Sequence, residues 1–593
     1  MRIEFEGAGH VDATQYDAVS PRAVTRADAR VFDYVNGEAG RTRMEGTGLV
    51  YGNGDEAPPT AGTIEEIVLY EGADGVLARI EGEFDAGGGL FASRDAFWEA
   101  VLRGPTELDF TAAPESGRFL ARTSLAGDAM DVEEGMPSRG ADDTARLGTA
   151  KVTFAGDASR LLTDTGSYEA GDDVVEGGIH PDGEVVVVGD VGQMFQGTTL
   201  AAGDDRITIQ GAGSVYGDVW RMVFGGATLE AGDDRIFVGG AEGQVSVAWG
   251  DADELSDTNL GPIRIRAGDD RITAGDGPVR MVGDVRYIGL SRDGTLQEMG
   301  DDRLKGGDGD DVIAGDVQFF GSFKPIVMGD DDIRGGGGDD VIHGDAAEVY
   351  GLTSDAFFSG GNDKIRDGSG DDEVYAGVGD DLVIAGSGRD LYDGGAGEDR
   401  LTYRGSREGV RIDLAEGTVS GGDAEGDTIV GFERIEGSKR AGDRILGTRD
   451  DDRLDGRGGD DRLKGRGGDD RLDGGSGDDR LSGGGGRDDL RGGTGDDRLN
   501  GGSGRDRIEG GEGADRLKGG GRADEFVFGA GSGEDVVRDF ERGLDVLALG
   551  WAVDGFDDLD LDSTEDGVRV SFGADSVSVE GVTTLGAGDF LFE

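Results

Sequence analysis

Gly474-Gly-Ser-Gly-Asp-Asp-Arg-Leu-Ser482 and Gly492-Gly-Thr-Gly-Asp-Asp-Arg-Leu-Asn500 are two of nine consecutive nonapeptides that run from Gly447 to Val527 without a gap. A strict short period means a stacked array, in which each unit buries its apolar face only against its neighbours. The pattern is G-G-x-G-x-D-x-U-x, with U apolar. Glycines at the first, second and fourth positions permit positive φ and close approach of stacked backbones. The sixth-position Asp supplies a hard anionic oxygen. The eighth residue of a short strand points inward while its neighbours point out. One coil then takes two nonapeptides, with an acidic edge on each side. Asp452, Asp470, Asp488, Asp506 and Asp524 fall on one edge, and Asp461, Asp479, Asp497 and Asp515 on the other. The seventh-position arginines (Arg453, Arg462, Arg471, Arg480, Arg498, Arg507, Arg516) read as a solvated ladder that eases repulsion between these aspartates.

Working outward, the whole chain of 593 residues carries 118 glycines and a formal charge of −67. So acidic and glycine-rich a composition, short of large apolar residues, cannot offset the entropy of ordering unless something neutralises the carboxylates. Asp plus Glu number 125 against 58 Lys plus Arg, which repels nucleic acid and anionic lipid and makes cations the expected partners. With no cysteine and only His10, His180 and His343, thiolate and zinc sites are disfavoured, and oxygen ligands suited to Ca2+ remain. The opening residues lack a basic region followed by an apolar run, so no cleavable signal peptide is expected. No apolar stretch approaches the ~20 residues of a membrane span.

Upstream the motif returns in interrupted form. Gly-Asp-Asp followed by an apolar residue recurs at Gly171, Gly203, Gly232, Gly268, Gly300 and Gly329, and as Gly361-Asn-Asp-Lys-Ile, with Gly140-Ala-Asp-Asp as a degenerate first copy. The spacings from Gly171 to Gly361 are 32, 29, 36, 32, 29 and 32, against 18 for a plain coil, so each coil carries 11 to 18 extra residues. A Gly-Asp pair marks where the extra segment starts: Gly189-Asp190, Gly217-Asp218, Gly250-Asp251, Gly283-Asp284, Gly315-Asp316 and Gly344-Asp345. The segments contain strand-forming residues, such as Val219-Trp-Arg-Met-Val-Phe224 and Val285-Arg-Tyr-Ile-Gly-Leu290, and are expected as lateral hairpins pushed out from one edge. The second nonapeptide often loses its Asp here, as at Val279, although Asp311 and Asp340 keep it. Calcium is therefore expected mainly on the uninterrupted edge, at Asp173, Asp205, Asp234, Asp270, Asp302, Asp331 and Asp363. From Gly361 to Thr402 the motif is continuous again, with Asp363, Asp372, Asp381, Asp390 and Asp399 in the sixth position.

The nonapeptides resemble the RTX (repeats-in-toxin, hemolysin-type) family of calcium-binding proteins. That resemblance implies an all-β fold, a right-handed parallel β-roll or β-helix solenoid of Gly/Asp-rich nonapeptides, with lateral hairpin insertions in the N-terminal half and β-rich caps. It divides the chain into an N-terminal cap domain (1–135), an interrupted solenoid (136–402), a spacer (403–446) that either continues or breaks the solenoid, an uninterrupted roll (447–527) and a C-terminal cap (528–593). The last segment, ending Gly588-Asp-Phe-Leu-Phe-Glu593, is similar to the end of RTX proteins exported by type I secretion, where an uncleaved signal lies near the terminus. A secreted, extracellular protein of a Gram-negative bacterium, with calcium and a type I apparatus as partners, is what this implies. Capping by itself explains the same strands.

Residues 1–135 show strand-like pieces at Gly62–Tyr70 and Gly75–Ile80, then one expected helix with Ser93 as N-cap and Gly104-Pro105 as its stop. The signatures of the enzymes that often carry RTX tails are absent: there is no H-E-x-x-H and no G-x-S-x-G. Paired carboxylates such as Glu65-Glu66 discriminate nothing in so acidic a chain. The expectation is a non-enzymatic structural or adhesive protein, with segments 191–202, 219–231, 252–267, 285–299, 317–328 and 346–358 as its contact surface toward glycans or matrix. The alternative is a secreted carbohydrate-active enzyme or epimerase relative.

Overall fold

A computed structural model describes residues 2–4, 21–27, 31–36, 40–51, 59–71, 75–85, 107–109, 124–126, 144–148, 153–155, 167–177, 186–194, 199–210, 213–223, 228–239, 245–256, 264–288, 297–320, 326–349, 358–550 and 555–592. Two compact units divide it: Met1–Gly336 with His343–Gly361, and Gly337–Ile342 with Asn362–Glu593. The described residues are almost all strand, and none of their helices is long and apolar enough to cross a membrane.

In the first unit, Val174–Gly177, Arg206–Ile209, Arg235–Val238, Arg271–Ala274 and Arg303–Lys305 stack in one parallel sheet. The register carries Val175, Ile207, Ile236, Ile272 and Leu304 into one buried column. A second parallel sheet stacks Val186–Val188, Ser214–Tyr216, Ser246–Trp249, Val279–Val282 and Val312–Ala314. It is covered on both faces. Val187, Val215, Ala248, Met281 and Ile313 are all buried in one column, while Val188, Tyr216, Trp249, Val282 and Ala314 form a separate cluster against which Ala347 of an inserted segment packs. Tyr216 and Trp249 lie in adjacent coils and stack with ring centroids 5.1 Å apart.

The inserted segments differ from the lateral hairpins that the sequence predicts. Val191–Met194, Val219–Val223, Ala252–Ser256, Val285–Ile288, Val317–Phe320 and Ala346–Val349 each pair in parallel with the equivalent strand of the next coil. Ser167–Glu169, Thr199–Ala201, Thr228–Glu230, Arg264–Arg266, Gln297–Glu298, Ile326–Val327 and Phe358–Ser359 form a further parallel sheet. A hairpin would satisfy its backbone by an antiparallel ladder inside one insertion. Here the insertions recur at the same corner of successive coils, so each finds its equivalent about 4.8 Å away and the hydrogen bonds run from coil to coil. Each coil thus gains two strands and has four.

Before the coils, Pro21–Ala27, Val31–Asn36, Gly40–Tyr51, Pro59–Glu71 and Gly75–Asp85 form an antiparallel meander. The strand-like pieces at 62–70 and 75–80 fall inside its last two members. Glu107–Asp109 joins Thr144–Gly148, which pairs with Val174–Gly177 and so occupies the position expected after the degenerate Gly140 copy. The expected helix after Ser93 and the Gly140-Ala-Asp-Asp segment itself lie outside the described residues.

The second unit has the plain two-strand coil. Leu454, Leu472, Leu490, Ile508, Phe526 and Leu547 stack in register on one sheet, and Leu463, Leu481, Leu499, Leu517 and Val537 on the other, all buried. Each half-coil therefore contributes one large apolar side chain, with glycine beside it. Gly477 shows why: its φ is +128°, and an added Cβ would fall 2.1 Å from the Gly459 carbonyl oxygen one coil away.

The spacer continues the solenoid on one side and exchanges the sheet on the other. Arg400–Thr402, Arg434–Glu436 and Arg453–Asp455 pair without interruption. The facing sheet ends at Thr428–Val430, and a new one starts at Arg411–Asp413, which pairs with Arg444–Leu446. Two repeats beside the spacer carry Arg where glycine is the rule, Arg457 at φ 69° and Arg466 at φ 85°. Arg466 makes two 2.7 Å bonds to Asp413 and one of 2.6 Å to the Gly447 carbonyl. Arg457 pairs with Glu436 at 2.8 Å. The left-handed backbone at each is thereby held by an ion pair to a spacer strand. Beyond the roll, Glu525–Phe528, Val546–Leu549 and Phe590–Phe592 extend one sheet, while Asp560–Ser563, Gly567–Phe572 and Asp575–Glu580 close the other with antiparallel pairing.

Candidate metal centre

Two carboxylate ladders run along each edge of the roll. The sixth-position Asp reaches back one coil: its Oδ1 accepts the backbone N–H of the preceding sixth-position Asp. Asp461 N–H donates to Asp479, Asp479 to Asp497 and Asp497 to Asp515 at 2.7–2.8 Å. On the opposite edge Asp452, Asp470, Asp488, Asp506 and Asp524 are linked in the same way at 3.0 Å. The fifth-position residue does the reverse. Asp478 is exposed, accepts from Asp496 N–H at 3.0 Å, and donates its own N–H to Asp460. Sequence reasoning treated that position as variable and missed this outer ladder, because only the coil geometry aims the side chain at the next turn.

The inner ladder uses one oxygen per carboxylate. The Oδ2 atoms of Asp461, Asp470, Asp479, Asp488, Asp497, Asp506, Asp515 and Asp524 are buried and accept no hydrogen bond. Each points at the first-position glycine of its own repeat: a Cβ at Gly474 would sit 2.3 Å from Asp479 Oδ2. No lysine or arginine is buried among the described residues. Desolvation by burial therefore drives these carboxyls upward, to about 8 at Asp461, about 7 at Asp470, Asp479 and Asp497, and about 6 at Asp506, Asp515 and Asp524, with the backbone hydrogen bond opposing. Orphaned anionic oxygens stacked on one edge, beside glycines that leave room, fit a hard cation with oxygen ligands.

The ladders extend past the residues expected from the repeat. Asp399 N–H donates to Glu433, Asp390 N–H to Asp427, Val410 N–H to Asp443, and Asp443 N–H to Asp461. Beyond the roll, Asp515 passes to Asp535 and Asp524 to Asp545. Their irregular spacing hid these members from a nonapeptide search. Around the spacer, protein donors take the place that is empty elsewhere. Tyr392 donates to Asp390 Oδ2 at 2.9 Å and also to Asp367, Tyr403 donates to Asp427 Oδ2 at 2.8 Å, and Ser438 and Thr448 bond the second oxygens of Asp443 and Asp452. Of the expected ligands, Asp390, Asp452 and Asp311 therefore stand apart; both Asp311 oxygens accept backbone N–H groups, from Val279 and Gly307.

In the interrupted coils the same inner ladder links Asp173, Asp205, Asp234, Asp270, Asp302 and Asp331 at 2.7–2.8 Å, although they are 29 to 36 residues apart. Asp340 donates to Asp372, Asp363 to Asp381, Asp372 to Asp390 and Asp381 to Asp399. The expected uninterrupted edge is thus assembled. The Gly-Asp pairs that sequence reading used only as markers are also inside: Asp190, Asp218, Asp251, Asp284, Asp316 and Asp345 are all buried.

A family model for the RTX calcium-binding nonapeptide repeat matches residues 299–318, 328–347, 359–392, 366–401, 441–472, 464–499, 491–526 and 500–537. These turns are RTX calcium-binding repeats. No curated protein matches the chain. The matched RTX segments begin at residue 299, whereas the aspartate ladder already runs from Asp173.

The two outer faces of the RTX roll differ in charge. On one sheet the seventh positions carry both signs, Arg453, Arg471, Asp489, Arg507 and Glu525, and Arg507 pairs with Asp489 and Glu509 at 3.3 and 3.2 Å. The other presents exposed Arg444, Arg462, Arg480, Arg498 and Arg516 in register, with Lys464 and Lys518 beside them and no acidic residue between. The arginine ladder expected to ease repulsion takes that ion-paired form on one sheet only.

Replacing Asp479 by Ala removes a buried carboxylate oxygen that accepts no hydrogen bond, and is expected to lower bound calcium and weaken the roll cooperatively. Asp478→Ala loses one exposed hydrogen bond, about 0.5–1.5 kcal/mol, and keeps its calcium. Equal calcium loss from the two variants, measured by equilibrium dialysis, contradicts the inner-ladder assignment.

Protons compete for the same oxygens. Because the folded, metal-free roll holds its carboxyls above their unfolded value of 3.8, it binds more protons than the unfolded chain between these limits. That stability is complete below about pH 4 and is lost as pH rises through about 6 to 8. In chelator, circular dichroism is therefore expected to show β structure increasing as pH is lowered from 8 to 5. A signal that is flat or falls over this range overturns the linkage.

Proposed function

We propose that this chain is an extracellular, non-enzymatic calcium protein that leaves the cell unfolded through a type I secretion apparatus and folds where calcium is plentiful. The observation that carries the reading is the row of buried carboxylate oxygens without donors along the RTX edges. Such a row repels itself until a cation joins adjacent turns, and the ligand set exists only in the coiled chain, so binding and folding become one event. Extracellular calcium modules bind with Kd of ~10⁻⁴–10⁻³ M, above cytosolic calcium, which keeps the chain unfolded inside the cell and able to thread a narrow channel. The role after folding is structural or adhesive. The acid-free face bearing Arg444, Arg462, Arg480, Arg498 and Arg516 supports contact with an anionic glycan or matrix, because its positive charges repeat at the coil spacing on a chain that is acidic elsewhere.

Circular dichroism at pH 8 is expected to show coil-like chain in chelator and β structure on addition of millimolar calcium. A fully formed roll in chelator at that pH and low salt removes the coupling.

Export depends on the C-terminal segment. Deleting residues 528–593 is expected to retain the protein in cells that carry a type I apparatus, whereas deleting residues 1–135 leaves it in the medium. Loss of the roll's cap does not confuse the result, since the chain is unfolded before export in either case. Secretion of the chain lacking 528–593 removes the basis for this route.

A further inference from the structure

We propose that the Gly-Asp corners of the four-strand coils build a second class of cation site, a buried seam in which each ion lies among three carboxylates: two from successive Gly-Asp-Asp turns or corners and one from the element between them. The two sets argued here, Asp205/Asp218/Asp234 and Asp251/Asp270/Asp284, lie upstream of residue 299, where no RTX segment is matched. It rests on the calcium reading above for the identity of the ion.

The geometry begins with the corner glycine. A Cβ at Gly250 would fall 1.6 Å from Asp270 Oδ2 and 1.8 Å from the Gly283 carbonyl oxygen. At Gly217 the same point is 1.6 Å from Asp234 Oδ2 and 1.9 Å from the Gly250 oxygen. Glycine is thus required at each corner because a carboxylate and a carbonyl oxygen of neighbouring turns converge there. The aspartate that follows turns inward. Asp218 Oδ2 accepts the Gly232 N–H at 3.1 Å, and Asp284 accepts that of Gly300. One carboxyl oxygen of each set, from Asp205, Asp218 and Asp234, lies within 4.8 Å of the other two, as does one from each of Asp251, Asp270 and Asp284. Asp218 Oδ1, Asp234 Oδ2 and Asp270 Oδ2 are buried and accept no hydrogen bond, and Asp251 is fully buried between the Asp218 and Asp284 carboxyls. All six residues of the two sets are at most 1% exposed, and no described basic side chain is buried with them.

Three carboxylates in a site closed to water demand a counter-charge, and an unpaired buried anion is strongly destabilising. Carboxylate and carbonyl oxygens at this spacing match the all-oxygen coordination of calcium. Along residues 447–527 the inner carboxylates come from the sixth position alone, whereas here a residue from another corner of the coil closes the set, as Asp367 does with Asp372 and Asp390. The insertion follows this corner directly, so a bound ion ties it to the coil at its root.

The test uses the full chain and two readouts, calcium content by equilibrium dialysis and terbium luminescence sensitised by indole. Trp249 lies two residues before Asp251, whereas residues 447–527 contain neither Trp nor Tyr, so short-range sensitised emission reports the seam and not the roll. Asp251→Asn and Asp284→Asn remove charge and keep an oxygen for hydrogen bonding, so both variants are expected to retain β structure at millimolar calcium. Each is expected to bind less calcium and to lose the part of the emission that Trp249→Phe also removes, leaving the part that Trp220 beside Asp218 sensitises. Asp479→Asn is expected to lower calcium content with emission intact. Wild-type calcium content and emission in both seam variants, alongside a loss in Asp479→Asn, overturns the seam and means that its carboxyls share protons only. Loss in the seam variants with none in Asp479→Asn upholds the seam and fails the reading of the roll.

Discussion

Everything in this molecule depends on the burial of like-charged carboxylates in line. From Asp461 to Asp524 each inner-ladder Asp gives one oxygen to the backbone of the neighbouring coil, which ties turn to turn, and leaves the other without a donor in a dry edge. The hydrogen bond sets the stacking, and the remaining oxygen leaves a buried charge that a proton or a cation must neutralise. The apolar core is too thin to override this, since each half-coil of the roll presents one large apolar residue and a glycine inward.

The spacer shows the same problem met by other means. Tyr392, Tyr403, Ser438 and Thr448 donate to the oxygens that are orphaned elsewhere. Hydroxyl and backbone N–H donors satisfy a buried carboxyl locally, whereas a cation satisfies two turns at once and couples them. The block between the arrays is thus held largely by protein groups, including the Arg466–Asp413 and Arg457–Glu436 pairs, while the flanking coils carry the oxygens that ask for metal. The exchange of one sheet at this point, with the other passing through, lets the spacer alter the coil without breaking it.

A plain coil meets its metal edge once per nonapeptide, but the inserted segment leaves from a corner that is itself acidic and buried. Because the insertions are hydrogen-bonded to their equivalents in the next coil, they share the solenoid's period and cannot move independently as hairpins would. Each additional strand pair therefore adds to the stacked surface and places the Gly-Asp pair where two elements of one coil and the next coil meet.

The nine-residue period, the inward eighth residue and the two aspartate edges were legible in the sequence, because they follow from a local rule repeated in register and need no knowledge of distant contacts. The uninterrupted edge from Asp173 to Asp331 was legible too, since Gly-Asp-Asp recurs there at whole-coil intervals. Three things were decided only by tertiary structure. The inserted segments became parallel strands, because what pairs with an exposed strand depends on what the next coil presents beside it. Asp427, Glu433, Asp443, Asp535 and Asp545 joined the ladders, because their irregular spacing is absorbed by loops that only the folded coil closes. The corner aspartates moved from punctuation to interior, because burial is a property of the packed coil: a Gly-Asp pair has the same local chemistry at a surface turn, and nothing in nine residues says which way the carboxylate will face.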